Sequence, residues 1–208
     1  MKKFMFAVAV FCLAAGLKSG AFAADWPVNS SSGINNAIGS SVSGDTITVT
    51  ADITMSSAMA GVNSKSLIFR NDGAPRVIYG DLNSGLNIIR STVTIRGISF
   101  SGFQKTAADD AGRGGALRTY LNAFSSVNLS DVSFLSNRAY SGGAFYNAVR
   151  STITVSGNFS AIGNIADTGG GAVHNEGILD MSAAGSALFE NNISSGVSGG
   201  FGGGAVYN

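Results

Sequence analysis

Gly142-Gly143-Ala144-Phe145-Tyr146-Asn147 returns as Gly170-Gly171-Ala172-Val173-His174-Asn175 and again as Gly203-Gly204-Ala205-Val206-Tyr207-Asn208. A unit this short cannot bury its own apolar face, so copies must stack on one another, which points to a solenoid rather than a globule. The second glycine of the phrase stands at Gly115, Gly143, Gly171 and Gly204, at intervals of 28, 28 and 33 residues. The longest interval contains the Gly/Ser-rich stretch 194–203, so insertions collect at one corner of the repeat.

Two further segments keep step with the phrase. Ser91-Thr92-Val93-Thr94-Ile95-Arg96-Gly97, Ser125-Ser126-Val127-Asn128-Leu129-Ser130-Asp131 and Ser151-Thr152-Ile153-Thr154-Val155-Ser156-Gly157 alternate apolar and polar residues, as half-buried strands do. The other recurs as Phe134-Leu135-Ser136-Asn137, Ala161-Ile162-Gly163-Asn164 and Phe189-Glu190-Asn191-Asn192. Three strand-like segments in a period of about 27 residues describe one turn of a parallel β-helix, each turn pairing through its backbone with the turns above and below. Helical repeats of similar length need a 3.6-residue apolar period and tolerate little glycine, which excludes them here.

Strand-like runs at 46–50, 67–70, 76–79 and 86–90 carry the pattern back to residue 45. Ahead of them, Ile34, Ala37, Ile38 and Val42 form one apolar stripe at helical spacing, which predicts a short helix over the first turn's open end. The expected fold is all-β: a right-handed parallel β-helix over 45–208, a helical cap over 24–44, and an uncapped last turn that makes the chain the front of something longer.

Lys2 and Lys3, an apolar run over 4–17 and Ala21-Phe22-Ala23 form a secretory signal, residues 1–23. Cys12, the only cysteine, lies inside it, so the exported chain has neither disulfides nor a thiolate metal site to hold it together. No transmembrane segment is expected in the mature chain. The 13 Lys and Arg less Lys2, Lys3 and Lys18 leave 10 against 12 carboxylates, a formal charge of −2, which provides no basic field for nucleic acid. With 12% charged residues and 29 glycines, the surface must be built from Ser, Thr, Asn and Gly, as in extracellular β-solenoids.

The paired glycines are expected at a corner where φ is positive or stacked backbones leave no room for a Cβ. Asn137, Asn164 and Asn192 fit two descriptions: a buried amide ladder between turns, or solvated turn residues. His174, the only histidine, takes the position held by Tyr146, Tyr207 and Arg118 in other copies, a slot for large polar-tipped side chains. Asp109, Asp110 and Arg113 are the densest charged group and are expected to solvate a loop. No acidic row develops along the repeats, as glycoside cleavage by paired carboxylates would need. Thr46/Thr48, Thr92/Thr94 and Thr152/Thr154 do not recur on every copy, as an ice-ordering face requires, and Ala rather than Asp follows the glycines, unlike calcium-binding repeats. No catalytic residue, metal or cofactor is expected.

Gly-Gly-Ala-Val/Phe alternating with Phe-x-x-Asn resembles the repeats of the polymorphic outer-membrane protein family of autotransporters. The resemblance covers roughly 112–208 and rests on 142–145, 170–173, 203–206, Phe134 to Asn137 and Phe189 to Asn192, with Ala161 in place of the motif's Phe in one copy. It implies a secreted passenger displayed at the bacterial cell surface or outer membrane. That passenger would be an adhesin-like, non-enzymatic binder of host-surface, matrix or carbohydrate ligands. It also implies a downstream translocator barrel, for which nothing after Asn208 supplies strands. The rival expectation is a polysaccharide lyase or hydrolase on the same scaffold.

Overall fold

A computed structural model of the chain describes residues 23–196 and 202–208; residues 1–22 of the expected signal and 197–201 of the expected insertion lie outside the described residues. Alternation of β-branched and polar residues gives strands with one buried face, and the described strands assemble into parallel sheets of ten, six and five strands. A single α-helix accompanies them among the described residues.

The ten-stranded sheet contains, in spatial order, Thr46–Val49, Ser66–Asn71, Thr92–Arg96, Ser126–Leu135 and Thr152–Ile162, with Ile178–Glu190 alongside the last. The segments aligned by sequence pair residue for residue: Val93 with Val127, Val127 with Ile153, and Ile153 with Leu179. The six-stranded sheet stacks Leu86–Ile89, Leu117–Thr119, Phe145–Asn147, Val173–Asn175 and Val206–Tyr207 over Val62–Asn63. The five-stranded sheet carries Gln104–Lys105, Arg138–Ser141, Ile165–Gly170 and Ile193–Ser194, with Gly202–Gly203 beside Ile165–Gly170.

Inward side chains from the sheets form one contiguous apolar cluster from Val28 to Val173, onto which Leu179, Met181 and Phe189 pack. Beyond it, Ile178, Leu188, Ile193 and Val206 are exposed, Ile178 by 63%. The long strands Ser126–Leu135 and Thr152–Ile162 bend midway, where their register shifts between Ser130 and Val132. Asp131 takes the left-handed backbone there at φ 54°, opposite a glycine, Gly157, at φ 66°. Asn158 N–H donates to the Asp131 carboxylate at 3.0 Å, tying down the strained non-glycine residue.

The N-terminal cap differs from the expectation in one respect. Before its helix comes a strand, Asp25–Val28, paired in parallel with Thr46–Val49, so the stacking begins inside the cap region. The helix is Ser31–Ser40, opened by Ser30, whose Oγ accepts from Gly33 N–H at 3.2 Å. Ile34, Ala37 and Ile38 are buried as the stripe predicts, but Val42 lies past the helix end and is 54% exposed. The helix ends where Ser41 turns to extended backbone at ψ 151°, and the Lys65 ammonium caps the end by donating to the carbonyls of Ile38 at 2.6 Å and Ser41 at 3.0 Å.

The repeat residues singled out from sequence lie in three columns. At one corner, Gly115, Gly143, Gly171 and Gly204 stack so closely that a Cβ on any of the first three would strike the next glycine's carbonyl oxygen. At the second corner, the Asn137 backbone N–H and side-chain Nδ2 both donate to Asn164 Oδ1 at 3.0 Å, and Asn164 makes the same pair of bonds to Asn192 Oδ1 at 3.0 Å. Asn137 and Asn164 are fully buried, so the ladder accounts for them and the solvated-turn alternative does not. In the third column Phe134 pairs with Ala161 and Ala161 with Phe189. The aromatic gap at Ala161 is filled from two residues earlier: the Phe159 ring lies 5.9 Å from Phe134 and 5.4 Å from Phe189.

Candidate ligand-binding site

The residue after each Gly-Gly-Ala-Val/Phe strand start forms a fourth column, on the outer side of the six-stranded sheet. Arg118, Tyr146, His174 and Tyr207 pair in register on successive strands, with ring separations of 5.2 Å from Tyr146 to His174 and 4.7 Å from His174 to Tyr207. The glycine corner turns the chain sharply just before this column. The neighbouring five-stranded sheet thereby brings Tyr140 and Thr168 beside it, and Arg113 joins through a parallel bridge to Ser141. Between these groups lies a surface cavity of about 540 Å³, lined also by Gly169, His174, Glu176 and Tyr207.

A continuous polar network lies along the cavity wall. Tyr146 OH donates to Glu176 Oε2 at 2.5 Å and accepts from the Arg113 guanidinium, whose central carbon lies 4.7 Å from the Tyr146 ring centroid. Glu176 Oε1 lies 3.3 Å from His174 Nε2 and 3.8 Å from Arg113 Nη1. On the other side of the imidazole, His174 Nδ1 meets Ser141 Oγ at 2.5 Å. Burial, with the Arg113 charge in support, lowers the His174 pKa below its usual value, outweighing the opposing pull of Glu176. At neutral pH the ring is therefore uncharged. The tautomer that satisfies both neighbours carries its proton on Nε2, toward Glu176, and accepts the Ser141 hydroxyl proton at Nδ1.

Ser141, His174 and Glu176 thus form a hydroxyl, imidazole and carboxylate chain of the kind that activates serine nucleophiles. Ser141 is 3% exposed, and a Cβ placed on Gly169 would strike both the His174 ring and Ser141 Oγ, so the hydroxyl is covered by this backbone. Glu176 is the only carboxylate among the described cavity-lining residues. Among the described residues no group of His, Cys, Asp and Glu is poised to hold a metal ion, and no helix is long and apolar enough to cross a membrane.

His174 occupies the predicted slot in register, but that slot is the wall of a cavity. Arg113, expected to solvate a loop, reaches the Tyr146 ring instead; the Asp110 side chain lies outside the described residues. Glu176, Tyr140 and Thr168 carry no sequence signal of their own. Glu176 follows the repeated phrase by one residue, and the matching residue of the preceding copy is Ala148, so a search for recurring residues passes over it. Comparison with family models, curated proteins and solved structures found no match.

Proposed function

We propose that this chain is an exported segment whose repeats wind as a right-handed parallel β-helix, and that it acts without catalysis as an adhesin-like binding module at the bacterial surface. The winding is supported by parallel pairing at one-repeat offsets in all three sheets, with a glycine corner and an asparagine corner between them. Export is supported by the signal-like residues 1–23 and by a mature sequence without cysteine. The resemblance to polymorphic outer-membrane passengers supports display on the cell surface.

One observation carries the binding role: a lateral cavity walled by tyrosine and histidine rings and crossed by an anchored Arg113–Glu176 pair. Such a cavity offers apolar faces and fixed polar contacts together, the usual composition of a ligand site. Beads coated with residues 24–208 are expected to adhere to mammalian cells or to matrix-coated surfaces. Glu176→Gln should reduce retention by about tenfold, as loss of a charged hydrogen-bond acceptor implies. Wild-type beads that do not adhere, or a purified chain that depolymerises a polysaccharide, would overturn the proposal.

A further inference from the structure

At the N-terminal end of the stack lies a buried charge without a counter-charge. Asp45, just before the strand Thr46–Val49, is 2% exposed. Its carboxylate takes three N–H donors: Ala24 N at 2.8 Å on Oδ1, and Trp26 Nε1 and Val42 N, both at 3.0 Å, on Oδ2. The hydrogen bonds from Val42 and Ala24 hold its carboxyl below the usual carboxylate range, so it is ionised at neutral pH. All three donors are neutral. Asp45 forms no ion pair among the described residues, and the nearby Lys65 ammonium is turned instead to the carbonyls of Ile38 and Ser41. A carboxylate withdrawn this far from water ordinarily has a cationic partner.

The position of Ala24 says where that partner comes from. Ala24 is the first residue of the expected exported chain and the first that hydrogen bonds tie into the fold: its nitrogen donates to Asp45, and its carbonyl accepts from Thr46 N–H at 2.8 Å. Ala23 is exposed and makes no hydrogen bond among the described residues. The strand Asp25–Val28 that follows pairs along its whole length with Thr46–Val49, which keeps the Ala24 nitrogen in place when the bond before it is cut. Hydrolysis of the 23–24 peptide bond adds water across it, leaving a carboxylate on Ala23 and an amine on Ala24. An α-amino group titrates near ~8, so at neutral pH the amine takes up a proton. One neutral N–H donor thereby becomes a cation with three. A cut one residue later would delete this nitrogen, and a cut one residue earlier would leave it a neutral amide.

We infer that Asp45 is a binding site for the α-ammonium of Ala24, so that removal of residues 1–23 completes the N-terminal cap with an ion pair. This inference rests on the export reading above and adds to it a structural role for the cut.

Two forms of residues 24–208 test it, one with a free amine on Ala24 and one acetylated there, which keeps the N–H and removes the charge. The free amine should melt about 2–4 °C above the acetylated form at low salt below about pH 7. An ion pair raises the folded amine's pKa above its unfolded value, so this advantage is present below ~8 and lost as pH rises through the folded value. Asp25, Lys65 and Lys105 are the same in both forms and drop out of the difference. Asp45→Asn should erase the advantage at every pH; should that variant not fold, the pH series on the two wild-type forms decides alone. Equal melting of the two forms below about pH 7 refutes the inference, as does an advantage that persists above about pH 10. Export from a Gram-negative host under residues 1–23, with sequencing of the product's first residues, separates the two readings. A product that begins at Ala24 is expected. An exported chain that begins elsewhere refutes the ammonium site and spares export, whereas a chain retained with residues 1–23 attached refutes both.

Discussion

Gly142 and Gly143 are neighbours that meet different demands. Gly142 holds a left-handed backbone at φ 65°, where a Cβ would cost backbone strain, while a Cβ on Gly143 would stand 2.6 Å from the Ile165 carbonyl oxygen. Gly143→Val must therefore push two stacked repeats apart, and it should cost on the order of 3 kcal/mol or more. His174→Ala removes a ring from the outer wall and should shift the melting temperature much less; the opposite order in thermal melts would contradict the corner assignment. A second residue sets a pH dependence. Lys105 is 7% exposed, its ammonium donates to Asn87 Oδ1 at 2.8 Å, and burial, with some help from the Arg118 charge, lowers its pKa from 10.5 to about 7. Between about 7 and 10.5 the unfolded chain holds a proton that the folded chain has released, so stability should rise with pH through that window. The penalty is at its full size below the window. Denaturant melts of Lys105→Met should show a flatter slope across it and greater stability at neutral pH.

At the scale of a strand, Thr152–Ile162 shows how a repeat motif can lose a residue and keep its packing. Phe134 faces Ala161 in the pairing, and Val132 faces Phe159, so large and small exchange places along one buried face of adjacent strands. The ring moves two residues along the face while a small residue takes its former place, and the ring contacts from Phe134 through Phe159 to Phe189 stay unbroken. Phe159→Ala should cost about 3–5 kcal/mol. Adding Ala161→Phe in the same chain should restore a large part of that loss, measured by urea unfolding of the single and double variants. No recovery would mean that the Phe159 site cannot be filled from Ala161. A Phe-x-x-Asn search of the sequence marks this copy as defective, because it tests one position at a time, whereas the core responds to the face as a whole. The helix teaches the converse lesson: its stripe was legible through Ile38, but the group that caps its end is a lysine 27 residues away in sequence.

Across the whole molecule, order should follow the number of neighbours each repeat has. Ser126–Leu135 pairs on both sides, with Thr152–Ile162 on one and with Thr92–Arg96 and Ile98–Ser101 on the other, and its inward residues are buried. Ile178–Glu190 pairs only with Thr152–Ile162 among the described residues and leaves Ile178 and Leu188 exposed. Native-state hydrogen exchange should therefore be slowest in 126–135 and 152–162 and clearly faster in 178–190; uniform protection would show that the repeats open as one unit. The sequence by itself determined the periodic part of this protein: parallel stacking, the paired segments, the glycine corner and the recurring asparagines. Those features obey a rule that every copy repeats, since each backbone must meet the same backbone one repeat away. Only the tertiary structure decided the rest. The asparagines became a ladder because their amides are buried, the cap acquired a strand, and His174 became part of a cavity wall with Arg113 and Glu176. These outcomes depend on residues that occur once and meet across two sheets and a loop, and a single occurrence leaves no period to read.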